Sequence, residues 1–313
     1  MSSAFLDLID LASERLGAAV VDCNDEFFAP KENLIKPAAA IWREGEYTER
    51  GKWMDGWETR RRRDDGDHDW CVIRLGVPGI VRGVDVDTAF FKGNFPESCA
   101  LDAGSDVGHR FNGAEVLARS PLNGDSHNYF AVNAAPTATH LRLRIFPDGG
   151  VARLRAYGDV VADWNRLRLR GDVDLAAAEH GGVVAACSDM FFGSRHNLIM
   201  PGDATHMGDG WETKRRRGPG HDWTIIRLGA PGTIRRVEID TRHFKGNAPG
   251  SCDLEGSTDA DDWRELMPRA PLEPHTRHEF EEHVRAIGDV THVRFNIYPD
   301  GGVGRLRLFG RPK

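Results

Sequence analysis

The sequence predicts an all-β protein built as two tandem antiparallel β-sandwich domains, and three observations lead there. Long segments of the first half return in the second, short apolar runs alternate with polar residues at the two-residue period of strands, and 35 glycines and 16 prolines punctuate the whole chain. Glycine and proline at that density mark tight turns between short strands. A length of 313 residues suits two ordinary domains, because single hydrophobic cores stop growing at about 250 to 300 residues.

The duplication is direct. D-G-W-E-T-R-R-R-R at 55–63 recurs as D-G-W-E-T-K-R-R-R at 209–217, and H-D-W-C-V-I-R-L-G at 68–76 as H-D-W-T-I-I-R-L-G at 221–229. D-T-A-F-F-K-G-N-F-P-E-S-C at 87–99 returns at 240–252, and F-P-D-G-G-V-A-R-L-R-A-Y-G at 146–158 returns at 298–310. Asp10, Leu11, Gly17, Val20 and Cys23 align with Asp174, Leu175, Gly181, Val184 and Cys187. So long a period is a whole domain, since solenoid units run about 20 to 50 residues. The expected domains are 1–171, which includes the N-terminal segment, and 172–313. The copies are unequal: the first carries extra residues around Trp42 to Trp53, and the second has its own histidines at His275, His278 and His283.

Each element follows from its pattern. Phe5, Leu8, Ile9 and Ala12 suggest a short amphipathic helix at the start. Trp70 to Gly76 is an apolar strand, and Val81 to Thr88 alternates Val84 and Val86 against Asp85 and Asp87. A reversal at Pro78-Gly79 would pair the two as a hairpin, bringing the arginine-rich loop at 59–69 beside F-K-G-N at 91–94. Leu141, Leu143 and Ile145 share a face opposite Arg142 and Arg144, and Leu154 lies between Arg153 and Arg155. That reads as a hairpin around D-G-G with one apolar face and one cationic face, the latter solvated or at a domain interface. Val293, Phe295, Ile297, Leu306 and Leu308 repeat the apolar face. The tryptophans at 57, 70, 211 and 223 suit core packing, and a linker turn is expected near Asp174 to Glu179.

Composition excludes several classes. A net charge of -7 does not fit a general nucleic-acid binder. No apolar run reaches the roughly 18 residues of a membrane span. Asp7, Asp10 and Glu14 interrupt any leader-like opening, so a cytoplasmic protein is expected. Five cysteines, none in C-x-x-C, read as free thiols rather than a disulfide framework or zinc site. There is no G-x-S-x-G elbow, no phosphate-cradling loop and no His-Glu-x-x-His, so nucleophilic-serine and nucleotide chemistry are not supported. No motif requires a cofactor. A divalent cation held by Asp, Glu and His stays open, as does homo-oligomerisation.

The run G-K-W-M-D-G-W-E-T-R-R-R-R at 51–63, the opening L-A-S-E-R-L-G with D-E-F-F-A-P-K-E-N-L, both H-D-W segments and both P-D-G-G segments closely resemble the allantoicases, over nearly the whole chain. The resemblance implies repeated jelly rolls of the galactose-binding, discoidin-like type. It also implies the hydrolysis of allantoate to ureidoglycolate and urea. The competing reading is a non-enzymatic tandem module of the same sandwich that binds a sugar or small anion. The loops favour the enzyme, being rich in charged side chains rather than exposed aromatic platforms.

Allantoate is a small anion with two ureido arms on one carbon. Its hydrolysis needs a cation for the carboxylate, polar groups for the ureas and an acid-base group for departing urea and incoming water. The acid-base candidates are Glu58, His68 and Asp69 with their counterparts Glu212, His221 and Asp222. The substrate-binding candidates are Arg61, Arg62, Lys92, Asn94, Arg215, Arg216, Lys245 and Asn247, since an arginine fork matches a carboxylate and K-G-N offers an ammonium and an amide. His275 and His278, present only in the second copy, complete the set. One departure stands out: Arg144 of the first copy occupies the place of Asn296 in the second.

Overall fold

Strands whose apolar side chains recur every second residue bury that face against another layer. The computed structural model describes residues 4–106 and 110–313. The first repeat contains β1 (Ile9–Asp10), β2 (Ala19–Cys23), β3 (Tyr47–Thr48), β4 (Gly51–Lys52), β5 (Trp57–Glu58), β6 (Asp69–Asp87), β7 (Ser98–Asp106), β8 (Phe111–Pro121), β9 (His127–Ala131), β10 (Ala138–Phe146), β11 (Gly150–Val151) and β12 (Arg153–Val160). After the short helix α1 (Trp164–Arg168), the second repeat contains β13 (Val173–Asp174), β14 (Val183–Cys187), β15 (Trp211–Glu212), β16 (Asp222–Asp240), β17 (Ser251–Ser257), β18 (Arg264–Pro271), β19 (Arg277–Phe280), β20 (Val290–Tyr298), β21 (Gly302–Val303) and β22 (Arg305–Pro312). Apart from the β3–β4 hairpin, each strand of one repeat has its twin in the other, with the same partners. All pairings are antiparallel, as jelly-roll sandwiches require.

The chain divides into two compact units, Met1–Val161 and Ala162–Lys313. The division precedes residue 171 because α1 packs within the second unit. Leu167 is buried there, the Trp164 ring lies 6.2 Å from His180, and the Arg168 Nε donates to the Lys313 carbonyl at 3.0 Å.

The hairpin expected at Pro78-Gly79 does not form. Residues 69–87 are one bent strand, β6: its first half pairs with β2 and β10, its second with β9 and β12. Register is lost between Arg74 and Gly79, where β6 passes from the layer β2–β6–β10–β7–β8 to the layer β1–β12–β6–β9. Crossing layers lets Cys71, Ile73, Val81, Val84 and Val86, all fully buried, face one core from both sides. A hairpin would have laid them side by side in one sheet. The expected convergence survives by this different route, since both ends of β6 reach the same end of the sandwich. Arg62 bonds to Asp69 at one end, and the Ala152 N–H donates to the Asp87 carbonyl at 2.8 Å at the other.

The D-G-G segment is also not a tight hairpin. β10 and β12 lie in different layers, and the chain between them crosses the end of the sandwich, where β11 pairs with β5. Nor is the arginine face of β12 solvated. Arg153 is 1% exposed and Arg305 3% exposed. Arg153 donates to the carbonyls of Ala38 at 2.9 Å and Asp55 at 3.0 Å and to the Asp55 carboxylate at 2.8 Å. Arg305 does the same to Gly202, Asp209 and the Asp209 carboxylate. Each arginine ties the preceding long loop to the sheet.

Trp57 and Trp211 are fully buried, each indole N–H donating at 2.8 Å to the carbonyl of Asp25 or Asp189. Trp70 and Trp223, expected in the core, are only half-buried. The N-terminal stretch is a 3₁₀ turn at Ala4–Asp7 followed by β1 rather than an amphipathic helix, and the turn expected near Asp174 to Glu179 is a 3₁₀ turn at Ala178–His180. No helix among the described residues is long and apolar enough to cross a membrane.

Candidate active site

The repeated D-G-W-E-T motif is built into the end of each sandwich. In the first repeat Asp55 is held by Arg153, Trp57 turns into the core, and Glu58 points the other way, as successive strand residues must. Gly56 is required by packing, because a Cβ there would meet the Val151 carbonyl oxygen at 2.6 Å. A cavity of about 570 Å³ opens above Glu58. Its apolar wall is Phe28, Trp42, Met54 and Phe90, and its polar groups are Glu58, Lys52, Lys92, Asn94 and the Gly93 backbone.

Glu58 is the titratable group best suited to proton transfer. Burial pushes its carboxyl above the usual range, partly offset by the Asn94 amide, which donates to Oε1 at 2.7 Å. Lys92 is exposed at the rim, 3.7 Å from Asp125. Lys52 places its ammonium 4.0 Å from the centre of the Trp42 ring. Phe90 has a positive φ of 69°, unusual for an aromatic residue, and its N–H is fixed by the Asp125 carboxylate at 2.7 Å. Strain of that kind costs on the order of 1 to 3 kcal/mol and recurs at ligand sites. Here it aims a ring at the cavity.

The second repeat keeps half of this arrangement. Asn247 donates to Glu212 at 2.5 Å, as Asn94 does to Glu58. His243 takes the place of Phe90 with the same positive φ, and its N–H donates to His275 Nδ1 at 2.9 Å. The residues around Trp42 to Trp53 have no counterpart. In the first repeat that insertion partly covers the Phe27-Phe28 pair, with Arg50 5.1 Å from the Phe27 ring and bonded to its carbonyl, and Phe27 is 38% exposed. The equivalent Phe191 and Phe192 are 70% and 62% exposed.

The arginine-rich loop forms a separate cleft of about 460 Å³ with Asn24, Asp25 and Asp69. Arg62 is committed inside it, bonding to Asp64 at 2.5 Å, the His68 carbonyl at 2.7 Å and the buried Asp69. Asp69 also accepts from Asn24 at 2.6 Å. Arg216 and Asp222 repeat that pair, with Ser188 as the further donor. His68 bonds to Asp67 at 2.5 Å rather than to Asp69, and its ring packs 5.3 Å from Phe146. His221 lies 3.3 Å from the Asn296 amide oxygen, its ring 4.6 Å from Tyr298. Arg61, Arg215 and Lys245 are exposed. His275 clasps the loop that Asp125 clasps in the first repeat, and His278 closes the 273–278 turn through the Glu273 backbone. The structure therefore gathers Glu58, Lys92 and Asn94 at one cavity, and leaves His68, Asp69, Arg61 and Arg62 in another group. No trio of His, Cys, Asp or Glu among the described residues is arranged to hold a metal ion.

Sequence reasoning missed Trp42, Lys52, Met54, Phe28 and Phe90 as cavity residues. The signal available was the insertion itself, which adds aromatic and basic residues to one copy only.

Comparison with known proteins agrees with this duplicated architecture. The family model described as the allantoicase repeat matches residues 9–161 and again 173–313. A probable allantoicase of Pseudomonas aeruginosa (strain LESB58) is 52% identical, covering 99% of this chain and 97% of the relative. One from Photobacterium profundum is 48% identical, with 98% and 97% covered. The crystal structure of allantoicase from Saccharomyces cerevisiae superposes with a TM-score of 0.84 at 37% identity, covering 96% of this chain and 92% of that one. A second allantoicase structure gives 0.86 at 36% identity, with 97% and 93% covered.

Proposed function

The chain belongs to the allantoicase family, and from that premise we propose that Glu58 is the proton-transfer group of the reaction and that the first-repeat cavity is where it occurs. The reaction is the hydrolysis of allantoate to ureidoglycolate and urea. The observation that carries the assignment is a half-buried carboxyl with a raised pKa on the floor of a cavity that also holds an amide and two ammonium groups.

The chemistry follows from those groups. The central carbon of allantoate bears a hydrogen, a carboxylate and two ureido nitrogens. One C–N bond breaks with its electron pair leaving on nitrogen, and that nitrogen needs a proton to depart as urea. Protonated Glu58 supplies it, and its raised pKa keeps more of the acid form available. Water then forms the C–O bond of ureidoglycolate and returns a proton to the Glu58 carboxylate. Asn94 fixes which carboxyl oxygen is engaged, leaving the other for the substrate. Lys92, exposed at the rim, raises the local concentration of an anionic substrate. The apolar wall reduces competing solvent around the leaving group.

The test is a coupled assay of urea and ureidoglycolate released from allantoate by the wild type and by Glu58→Gln. Loss of turnover in a folded variant supports the assignment, and unchanged turnover removes it.

A further inference from the structure

We propose that Lys52, supplied by the segment that only the first repeat possesses, seats the carboxylate of the substrate and so determines selection for an anionic ureido compound. The inference rests on the cavity around Glu58 being the reaction site, and it assigns to the insertion a role that neither duplication nor proton chemistry supplies.

Two cations line the cavity, Lys52 and Lys92. Lys92 is 78% exposed at the side chain and lies within 3.7 Å of Asp125. Lys52 is exposed as well, but it has no carboxylate partner among the described residues, and its ammonium sits over the Trp42 ring, itself 40% exposed, at 4.0 Å. A cation held against a π face keeps its charge while giving up part of its freedom. It retains N–H donors for a ligand. The arginine run of this repeat does not compete for the task, because Arg60, Arg61, Arg62 and Arg63 line the separate cleft and none of them lines this cavity.

The position is also built. β4, which carries Lys52, pairs with β3 across a tight turn, and the insertion is fixed at both ends: Arg153 grips the Ala38 carbonyl before it and Asp55 after it. Trp42 packs 5.8 Å from Phe90, whose backbone is held in the left-handed region beside Asn94 and Lys92. The insertion, the F-K-G-N loop and Glu58 therefore surround one volume. A substrate whose carboxylate meets Lys52 leaves its ureido arms for the Glu58 and Asn94 side. The second repeat retains Glu212 and Asn247 but has no residue equivalent to Lys52, so the same reading makes it unable to select the anion.

The deciding experiment compares wild type, Lys52→Met and Glu58→Gln with allantoate and with its uncharged methyl ester. Methionine preserves the unbranched stem and removes the charge. For Lys52→Met the expected result is a KM for allantoate raised at least about ten-fold with kcat changed by less than about three-fold, the pattern of lost uniform binding. The preference of the wild type for acid over ester should collapse in the variant, and Lys52→Arg should restore part of it. A merely structural lysine would weaken both substrates alike, and that outcome overturns the proposal. If Lys52→Met keeps the wild-type acid-to-ester preference while Glu58→Gln abolishes turnover, Lys52 is not the anion seat although the cavity is the site. If Glu58→Gln also retains turnover, the cavity reading fails and this proposal falls with it.

Discussion

The Asn94 side-chain amide donates to Oε1 of Glu58 across 2.7 Å, joining the F-K-G-N loop to strand β5 at the end of the first sandwich. That bond orients the carboxyl without neutralising the effect of burial, which keeps its pKa raised.

Glu58→Gln should lower kcat by about 10² to 10⁴-fold, the usual range for a lost acid-base group, while the melting temperature stays close to wild type. In the wild type, kcat/KM should fall as pH rises through the raised Glu58 pKa, because the proton-donating form is then lost. The check is a pH–rate profile for both proteins. An identical alkaline limb in the glutamine variant would assign it to another group. Glu212→Gln should have a much smaller effect, since its repeat has no counterpart of Trp42 or Lys52.

Arg62→Ala is expected to act on stability more than on catalysis. Its guanidinium is the partner of the buried Asp69, and Asn24 alone would remain as a side-chain donor to that carboxylate. Leaving a buried acceptor short of its charged partner costs about 1 to 3 kcal/mol. Denaturant unfolding should report the loss while KM changes little. A large KM increase at unchanged stability would return Arg62 to the substrate.

The buried pair of Arg153 and Asp55 makes a sharper comparison. Arg153→Met removes one partner of an ion pair that is almost inaccessible to water, which should cost about 3 to 5 kcal/mol. It should also raise KM, because the same guanidinium holds the loop that walls the cavity. Arg305→Met breaks the equivalent pair with Asp209 and should destabilise comparably with less effect on KM. Melting curves and steady-state kinetics on the two variants separate these outcomes.

A pH-sensitive contact lies on the second layer of the first repeat. His127 Nδ1 is 2.7 Å from Asp85, where the second repeat pairs Arg277 with Glu238 at 2.6 Å. Burial raises Asp85 to about 6, even with His127 beside it. Burial alone would lower His127, but its bond to Asp85 outweighs that and leaves its pKa raised. Both groups thus bind protons more tightly when folded. Their contribution is complete below the unfolded values of 3.8 for Asp85 and 6.5 for His127. It is lost as pH climbs through about 6 for Asp85 and then through the raised pKa of His127. Stability should therefore decline toward alkaline pH, and His127→Arg should remove the part above 6.5. Melting temperatures measured from about pH 5 to about 8.5 test this, with parallel curves for wild type and variant as the adverse result.

Much of the architecture was legible because the repeat printed it twice. The burial of Trp57 and Trp211 and the apolar faces of β10 and β20 follow from patterns in both copies, whereas the arginine-rich and F-K-G-N loops, expected to share a cleft, reach the same end of the sandwich but line separate ones. The path of β6 was not legible: a strand that bends between layers carries the same alternation as a two-strand hairpin. Arg153 misled for a related reason. Flanking Leu154 it looks like any outward-facing arginine, and its acceptors at Ala38 and Asp55 lie about a hundred residues earlier. At the proposed site, Glu58, Lys92 and Asn94 stood in repeated motifs and were named from them. Trp42 and Lys52 had no twin to mark them, and their relation to Glu58 depends on how the insertion folds back.

The grip of Arg153 and Arg305 has a consequence for how such a protein can change. Each guanidinium recognises mainly main-chain carbonyls, which every amino acid presents, together with one aspartate at the far end of the loop. Between those fixed points, residues 40–54 in one copy and 204–208 in the other differ in length and composition while the sheet beneath stays the same. The arginine works as a clasp on a replaceable cassette. On the proposed role of Lys52, exchanging the cassette changes substrate preference while both of its ends stay fastened to the same strand.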